Sequence, residues 1–398
     1  MISFKGLVNF LIAVMLMVLT LPAFGKKPDI RFVHIQKKDG LSSNTINDIV
    51  KDQLGFIWVA TTDGLCRYDA HDKIQTFYQD PKNPNKLQTD NIRSLLSDSK
   101  GNVWIGTRLG GLTRHHPLSD SWTTFRYNPE DANSLSNDEV LSLLEDSYGR
   151  IWVGTENGLN VFNPESETFT VFKADTSTPQ ALQGKAILSI MEDHRGYIWV
   201  GTWGGGLHLF LPDADQLEKS KFRTILPNSF KGSHNIWKIY QDLDNRIWVG
   251  THGGSLFLME LPNNVNNNKD QQDWMPSFKL FPFITGRESA SISNNEIQDI
   301  LQDEQKNLWV ATSNGLNFVS ASDLSDLSGL TFYKYHSESK DDNTLNNNTV
   351  FKLYQDDQSL IWAGTAGGIS IYNRQNHQFE CFDIRLNCLL YTSPSPRD

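Results

Sequence analysis

A five-residue box built on tryptophan recurs seven times along this chain: IWVAT at Trp58, VWIGT at Trp104, IWVGT at Trp152, Trp199 and Trp248, LWVAT at Trp309 and IWAGT at Trp362. Successive tryptophans stand 46, 48, 47, 49, 61 and 53 residues apart, and six positions before each is an aspartate: Asp52, Asp98, Asp146, Asp193, Asp242, Asp303 and Asp356. A register kept over that many copies makes the period, near 50 residues, the unit of folding. Such a unit is too small to bury its own apolar surface and must stack on its neighbours.

Inside each period the apolar residues alternate, as in Ile46-Asn47-Asp48-Ile49-Val50 and Val140-Leu141-Ser142-Leu143-Leu144, which predicts a first strand closing at the aspartate. A turn follows, carrying Gly55, Gly101, Gly149, Gly196 or Asn245, with Lys306 and Ser359 in the last two copies. The tryptophan box reads as the second strand. A step such as Gly64-Leu65 or Gly158-Leu159 opens the third, and a more polar segment around Phe77, Phe125, Phe172 or Tyr335 supplies the fourth. The 22 Phe, 11 Tyr, 11 Trp and 28 Gly favour short strands and tight turns over long helices. The expected fold is therefore all-β, a seven-bladed β-propeller of four-stranded antiparallel blades. The tryptophans are expected to fill the space between blades, and the aspartates to accept backbone N–H groups in the turns. One aspartate per blade cannot converge on a single ion, so neither a metal nor a cofactor is expected.

The chain ends carry separate signals. Lys5 precedes an apolar run from Phe10 to Leu21 that closes on Pro22-Ala23-Phe24-Gly25, so residues 1–25 read as a signal peptide cleaved before Lys26, with an uncleaved anchor as the alternative. Either reading places the remainder outside the cytoplasm, in the periplasm. No later stretch approaches the ~18 apolar residues of a membrane helix. The propeller is expected to occupy residues 26–387. Arg31-Phe32-Val33-His34-Ile35 resembles a fourth strand with no three strands before it, and would close the ring by completing the last blade. Gln378 to Phe382 then becomes surplus: either that closure is wrong, or a second propeller starts near residue 378. Residues 388–398 read as a foreign or disordered tail, and Asn263 to Asp273 as a surface loop.

Charge and cysteine usage narrow the partners. Thirty-six Lys plus Arg against 46 Asp plus Glu give a net charge of -10 without any basic run, which argues against a nucleic-acid partner. Cys66, Cys381 and Cys388 have no zinc or disulfide spacing.

The segments Gly40-Leu41-Ser42-Ser43-Asn44-Thr45-Ile46, Asp52-Gln53-Leu54-Gly55-Phe56-Ile57-Trp58-Val59-Ala60-Thr61 and Asp63-Gly64-Leu65-Cys66-Arg67-Tyr68-Asp69 resemble the opening of the two-component regulator propeller family. Leu135-Ser136-Asn137, Asp146, Gly149 to Thr155 and Gly158-Leu159 match the same pattern, and the similarity runs over roughly residues 30 to 382. The resemblance implies the periplasmic sensing half of a membrane-anchored receptor. A typical member has two propellers, an immunoglobulin-like connector, a membrane helix and a histidine kinase or diguanylate cyclase. This sequence reads as such a receptor truncated before its output domain, with a full-length parent that is dimeric. No kinase, cyclase or nucleotide-loop signature is present, so no enzyme activity is expected of this chain. A secreted propeller interaction module and a periplasmic carbohydrate-active enzyme stand as alternatives.

Recognition is expected where the copies differ. After each box threonine stand Thr62, Arg108, Glu156, Trp203, His252, Ser313 and Ala366, a position too variable to be needed by the blade. Arg108 offers a donor fork for an anion, Trp203 a stacking face, and Glu156 and His252 hydrogen-bonding groups, for a small extracellular solute such as a saccharide or anion. His208 and the His115-His116 pair are read as packing or surface residues.

Overall fold

Each alternating segment forms a strand because its apolar face has a neighbouring sheet to cover it. The structure, a computed structural model, describes residues 35–383 apart from 70–72, 214, 226–233, 262–275, 285–290, 339–340, 342 and 375–376. Seven four-stranded sheets follow one another, each an antiparallel meander in chain order. Blade one comprises β1 (Ile46–Lys51), β2 (Ile57–Thr61), β3 (Gly64–Tyr68) and β4 (Ile74–Phe77). Blade three repeats it with β9 (Val140–Glu145), β10 (Ile151–Thr155), β11 (Gly158–Asn163) and β12 (Thr168–Phe172). Blade seven is β25 (Val350–Gln355), β26 (Ile361–Thr365), β27 (Gly368–Asn373) and β28 (Gln378–Asp383). Among the described residues, helix is confined to single turns such as α1 (Ala321–Ser325), and no helix is long and apolar enough to cross a membrane.

The register aspartate does more than hold its turn. In blade three Asp146 Oδ1 accepts the backbone N–H groups of Tyr148 and Arg150, at 3.0 and 2.9 Å, while Oδ2 accepts the indole Nε1–H of Trp152 at 2.8 Å. The same indole bond joins Asp52 to Trp58, Asp98 to Trp104, Asp193 to Trp199, Asp242 to Trp248, Asp303 to Trp309 and Asp356 to Trp362, at 2.7 to 3.0 Å. A single carboxylate thus ties the turn to the large ring that fills the inter-blade space.

Blades pack by one rule. The first residue of each inner strand lies over the box of the preceding blade. A Cβ added at Gly106, Gly154, Gly201 or Gly250 would come within 2.6 to 2.8 Å of Val140, Ile187, Ile236 or Ile297 respectively. Apolar clusters fill the six junctions from blade one to blade seven, with Trp58 beside Ile92 and Leu95 in the first and Trp309 beside Val350 and Leu353 in the last.

The junction between blades seven and one breaks the rule. Among the described residues, the atoms nearest a Cβ at Gly364 belong to Lys352 of its own blade, at 3.8 Å. Ile46 and Ile49 of β1 are 45% and 56% exposed, whereas their counterparts Ile92 and Leu95 are 0% and 8% exposed. Blade seven takes β28 as its own fourth strand, which accounts for the surplus strand of the sequence reading. Arg31 to His34 lie outside the described residues, as do residues 1–25, the Asn263 to Asp273 loop and residues 388–398.

Candidate ligand-binding rim

In every blade the residue after the box returns beside the residue that precedes the first strand. The backbone N–H of Arg108 donates to Asn91 O, Glu156 to Glu139 O, Trp203 to Ala186 O and His252 to Asn235 O, all at 2.9 to 3.0 Å. The equivalents in blades one, six and seven pair Thr62 with Thr45, Ser313 with Glu296 and Ala366 with Thr349. Next to this pair, the first strand skips one residue in its register with the second, at Asn47, Arg93, Leu141, Leu188, Trp237, Gln298 and Phe351. Such a bulge turns its side chain off the ladder. Each blade therefore gives three variable side chains to one rim, on the face opposite the aspartate turns.

Two unlike sectors result. Over blades two and three the rim is charged. Glu139 is bracketed by Arg93, to which it is hydrogen-bonded, and by Arg108, whose Nε lies 3.9 Å away. Arg108 is thus partly neutralised by a neighbour that the sequence did not reveal. Glu156 is exposed beside this group.

Over blades four and five the rim is aromatic. Trp203 is 47% and Trp237 40% exposed, and their ring centroids lie 5.6 and 6.0 Å from that of His252. The His252 Nε2 stands 3.9 Å from the Glu296 carboxylate of blade six. The loop after Trp203 is shaped by close approach: a Cβ at Gly205 would lie 2.3 Å from the backbone nitrogen of Gly184, and Gly204, at φ 79°, donates its N–H to Asn235 Oδ1 at 2.9 Å. Only glycine meets both demands without strain.

The four sequence candidates therefore form two neighbouring pairs, Arg108 with Glu156 and Trp203 with His252. Trp237, Glu296, Arg93 and Glu139 were missed. The signal that could have exposed them is variability at the second position of the first strand and at the residue before it.

His115 and His208 pack inside their blades. His115 is fully buried and stacks on Trp122, with ring centroids 4.0 Å apart. His208 is buried in blade four and its Nε2 accepts the N–H of Gln183 at 3.1 Å; burial drives its pKa down to about 4. Among the described residues no three His, Cys, Asp or Glu side chains are placed to hold a metal ion. A cleft lined by Tyr148, Arg150, Arg195, Tyr197 and Phe210 lies at the aspartate turns of blades three and four, away from the rim.

A ring of seven four-stranded meanders, with its repeats spent on packing and its differences gathered on one rim, is a seven-bladed β-propeller. Its repeats place it further. Residues 40–63, 86–108, 134–157, 181–204 and 291–314, in blades one to four and six, match the family described as Two component regulator propeller. No curated protein matches it. Among solved structures it is similar to the extracellular domain of a hybrid two component system, BT3049 of B. thetaiotaomicron, at 20% identity and a TM-score of 0.50, over 89% of this chain and 55% of that one. PorZ, a bacterial surface component of the type-IX secretion system of Porphyromonas gingivalis, matches at 17% identity and a TM-score of 0.56, over 89% of this chain and 48% of that one. YCF48 from Cyanidioschyzon merolae matches at 13% identity and a TM-score of 0.51, over 84% and 95%. These likenesses are of fold. The chain spans about half the length of the first two.

Proposed function

We propose that this propeller is the extracytoplasmic sensing module of a membrane-anchored signalling receptor, and that it takes a small saccharide on the aromatic sector of its rim. The observation that carries this reading is the exposed group Trp203, Trp237 and His252, with the Glu296 carboxylate at its edge. Exposed indoles forgo the burial that their apolar surface favours, and a sugar ring covers such faces while its hydroxyls bond to a carboxylate and an imidazole. An anion is the weaker fit, because Glu139 occupies both Arg93 and Arg108. The family match supports the sensing role, and the extracellular setting of the BT3049 domain supports export, with residues 1–25 as the leader and residues 26–387 as the propeller. A parent chain with a kinase or cyclase output, acting as a dimer, completes the proposal.

Calorimetric titration with a panel of plant and bacterial cell-wall oligosaccharides tests it. One of them should bind, and Trp203→Ala or Trp237→Ala should each weaken that binding by ~1–3 kcal/mol with an unchanged melting curve. Unaltered affinity in both variants removes the site from this sector, and turnover of the bound glycan replaces the sensor with an enzyme.

A further inference from the structure

The turn that carries the register aspartate is built alike in every blade, so blade five shows what a guanidinium at this turn needs. Arg246 donates from Nε to Asp242 Oδ2 at 2.6 Å, from Nη1 to Leu324 O at 2.8 Å and from Nη2 to Asp244 Oδ2 at 3.1 Å. All three nitrogens have an acceptor. In blade three Arg150 keeps the first of these bonds, to Asp146 Oδ2 at 2.6 Å, but Tyr148 stands where blade five has Asp244. Among the described residues the two Nη groups of Arg150 have no acceptor. In blade four the same position is Arg195, whose Nε and Nη2 are buried without a hydrogen bond. Asp193 Oδ2 stands 3.7 Å from that Nη2, beyond hydrogen-bond reach, and already accepts the Trp199 indole.

Both arginines line one cleft, of about 430 Å³, together with Tyr148, Tyr197, Phe210 and Pro212, and no carboxylate is among its lining residues. Arg150 lies over the Tyr148 ring, 5.2 Å from its centroid, and Arg195 over the Tyr197 ring, at 5.3 Å. Stacking covers the faces of a guanidinium and leaves its edge of N–H groups for an acceptor. We propose that this cleft is a second binding site, on the face opposite the rim, for an organic carboxylate. Arg195 and Arg150 take its charged end, and Phe210 and Pro212 take its apolar body. The Nε and Nη2 of Arg195 form the edge that meets a carboxylate with two parallel bonds. The guanidinium makes no hydrogen bond among the described residues, so a small turn of this long side chain presents that edge to the cleft. Buried donors without an acceptor are costly, and an entering carboxylate removes that cost. The charged sector of the rim differs, because there Glu139 pairs with both Arg93 and Arg108. Here Asp146 and Asp193 are fully buried and spent on turn N–H groups and indoles.

Titration calorimetry of the 398-residue chain with 3-phenylpropionate, its neutral amide and inorganic phosphate tests the assignment. The carboxylate should bind, and both the amide, which lacks the charge, and phosphate, which lacks the apolar body, should bind at least ~10-fold more weakly. Arg195→Gln removes the donor edge and no side-chain hydrogen bond of the fold. It should melt as the parent does and bind 3-phenylpropionate at least ~10-fold more weakly. Tyr148→Asp copies blade five by giving Arg150 an acceptor of its own, and should weaken binding by a similar factor without lowering the melting temperature. A readout on the parent needs neither variant to fold: saturating 3-phenylpropionate should slow phenylglyoxal modification of Arg150, read by peptide mass spectrometry, while Arg108 on the rim keeps its rate. Trp203→Ala should leave the affinity for 3-phenylpropionate unchanged, which separates this site from the saccharide site of the rim. No binding of 3-phenylpropionate up to about 10 mM overturns the proposal. Equal affinity for the amide overturns it because the charge is then not read, and equal affinity for phosphate overturns it in favour of a general anion site. Undiminished binding in a folded Arg195→Gln or Tyr148→Asp variant, or an unchanged modification rate at Arg150, overturns it as well. Loss of binding in Trp203→Ala assigns the carboxylate to the rim and overturns the second site.

Discussion

Asp146 holds four donors with one buried carboxylate: the N–H groups of Tyr148 and Arg150, the Arg150 guanidinium and the Trp152 indole. The indole bond explains a spacing that the turn alone does not require. The six-residue separation of Asp and Trp was plain in the sequence, yet the aspartate was expected only to cap its turn, because the return of the second strand beside the first is a matter of register and not of linear order. Asp146→Asn separates the two roles. Its amide keeps the shape and an acceptor for the turn, but sets an NH2 against both the indole and the guanidinium, which share Oδ2, leaving donors face to face around a buried group. We expect a loss of ~2–3 kcal/mol in the denaturant midpoint, the range for a buried group left unsatisfied. A midpoint equal to that of the parent would assign the indole bond no net stabilising role.

The third strand shows how an element adapts one position to its blade. The residue paired with the third position of the tryptophan box is Cys66, Thr113, Asn160, His208, Phe257, Asn317 or Ser370 in blades one to seven. In blade three Asn160 Oδ1 accepts the backbone N–H of Ser136, in blade six Asn317 does the same for Ser293, and in blade four His208 Nε2 accepts that of Gln183. The fold therefore holds the neutral imidazole, and burial sets its pKa near about 4. The unfolded chain takes up a proton as pH falls through ~6.5, while the native chain resists until the folded value is reached. The contribution of His208 is thus fully present above pH ~6.5 and is lost progressively down to about 4, by at most ~3 kcal/mol. His208→Asn, which copies Asn160, should match the parent to within ~1 kcal/mol at neutral pH and flatten this acid slope in urea titrations. An unchanged slope would place the acid sensitivity elsewhere. The strands themselves were legible from alternation and turn residues. The bulge in each first strand was not, since it changes no residue count visible in one copy, and Trp237 was overlooked with it.

At the scale of the whole molecule the ring is a one-dimensional stack whose ends nearly meet. Each blade touches only its neighbours, so its resistance to opening depends on how many neighbours it has. Blades two to six are covered on both faces, whereas blade one leaves Ile46 and Ile49 open and blade seven leaves Tyr354 open. The number of blades was readable from the boxes, but the open seam was not: the sequence states that sheets repeat, and only the curvature of the assembled ring decides whether the last one reaches the first. Hydrogen exchange in the native state should resolve the consequence. Amides of β2 and β26, in the terminal blades, should open sub-globally and exchange well before those of β10 in blade three, whose protection should approach that of global unfolding. Ile297→Ala, which weakens the packed junction over Gly250, should lower the protection of blades five and six without altering the faster exchange of blade one. Uniform protection around the ring would mean that the seam closes in solution and that all seven junctions share the load equally.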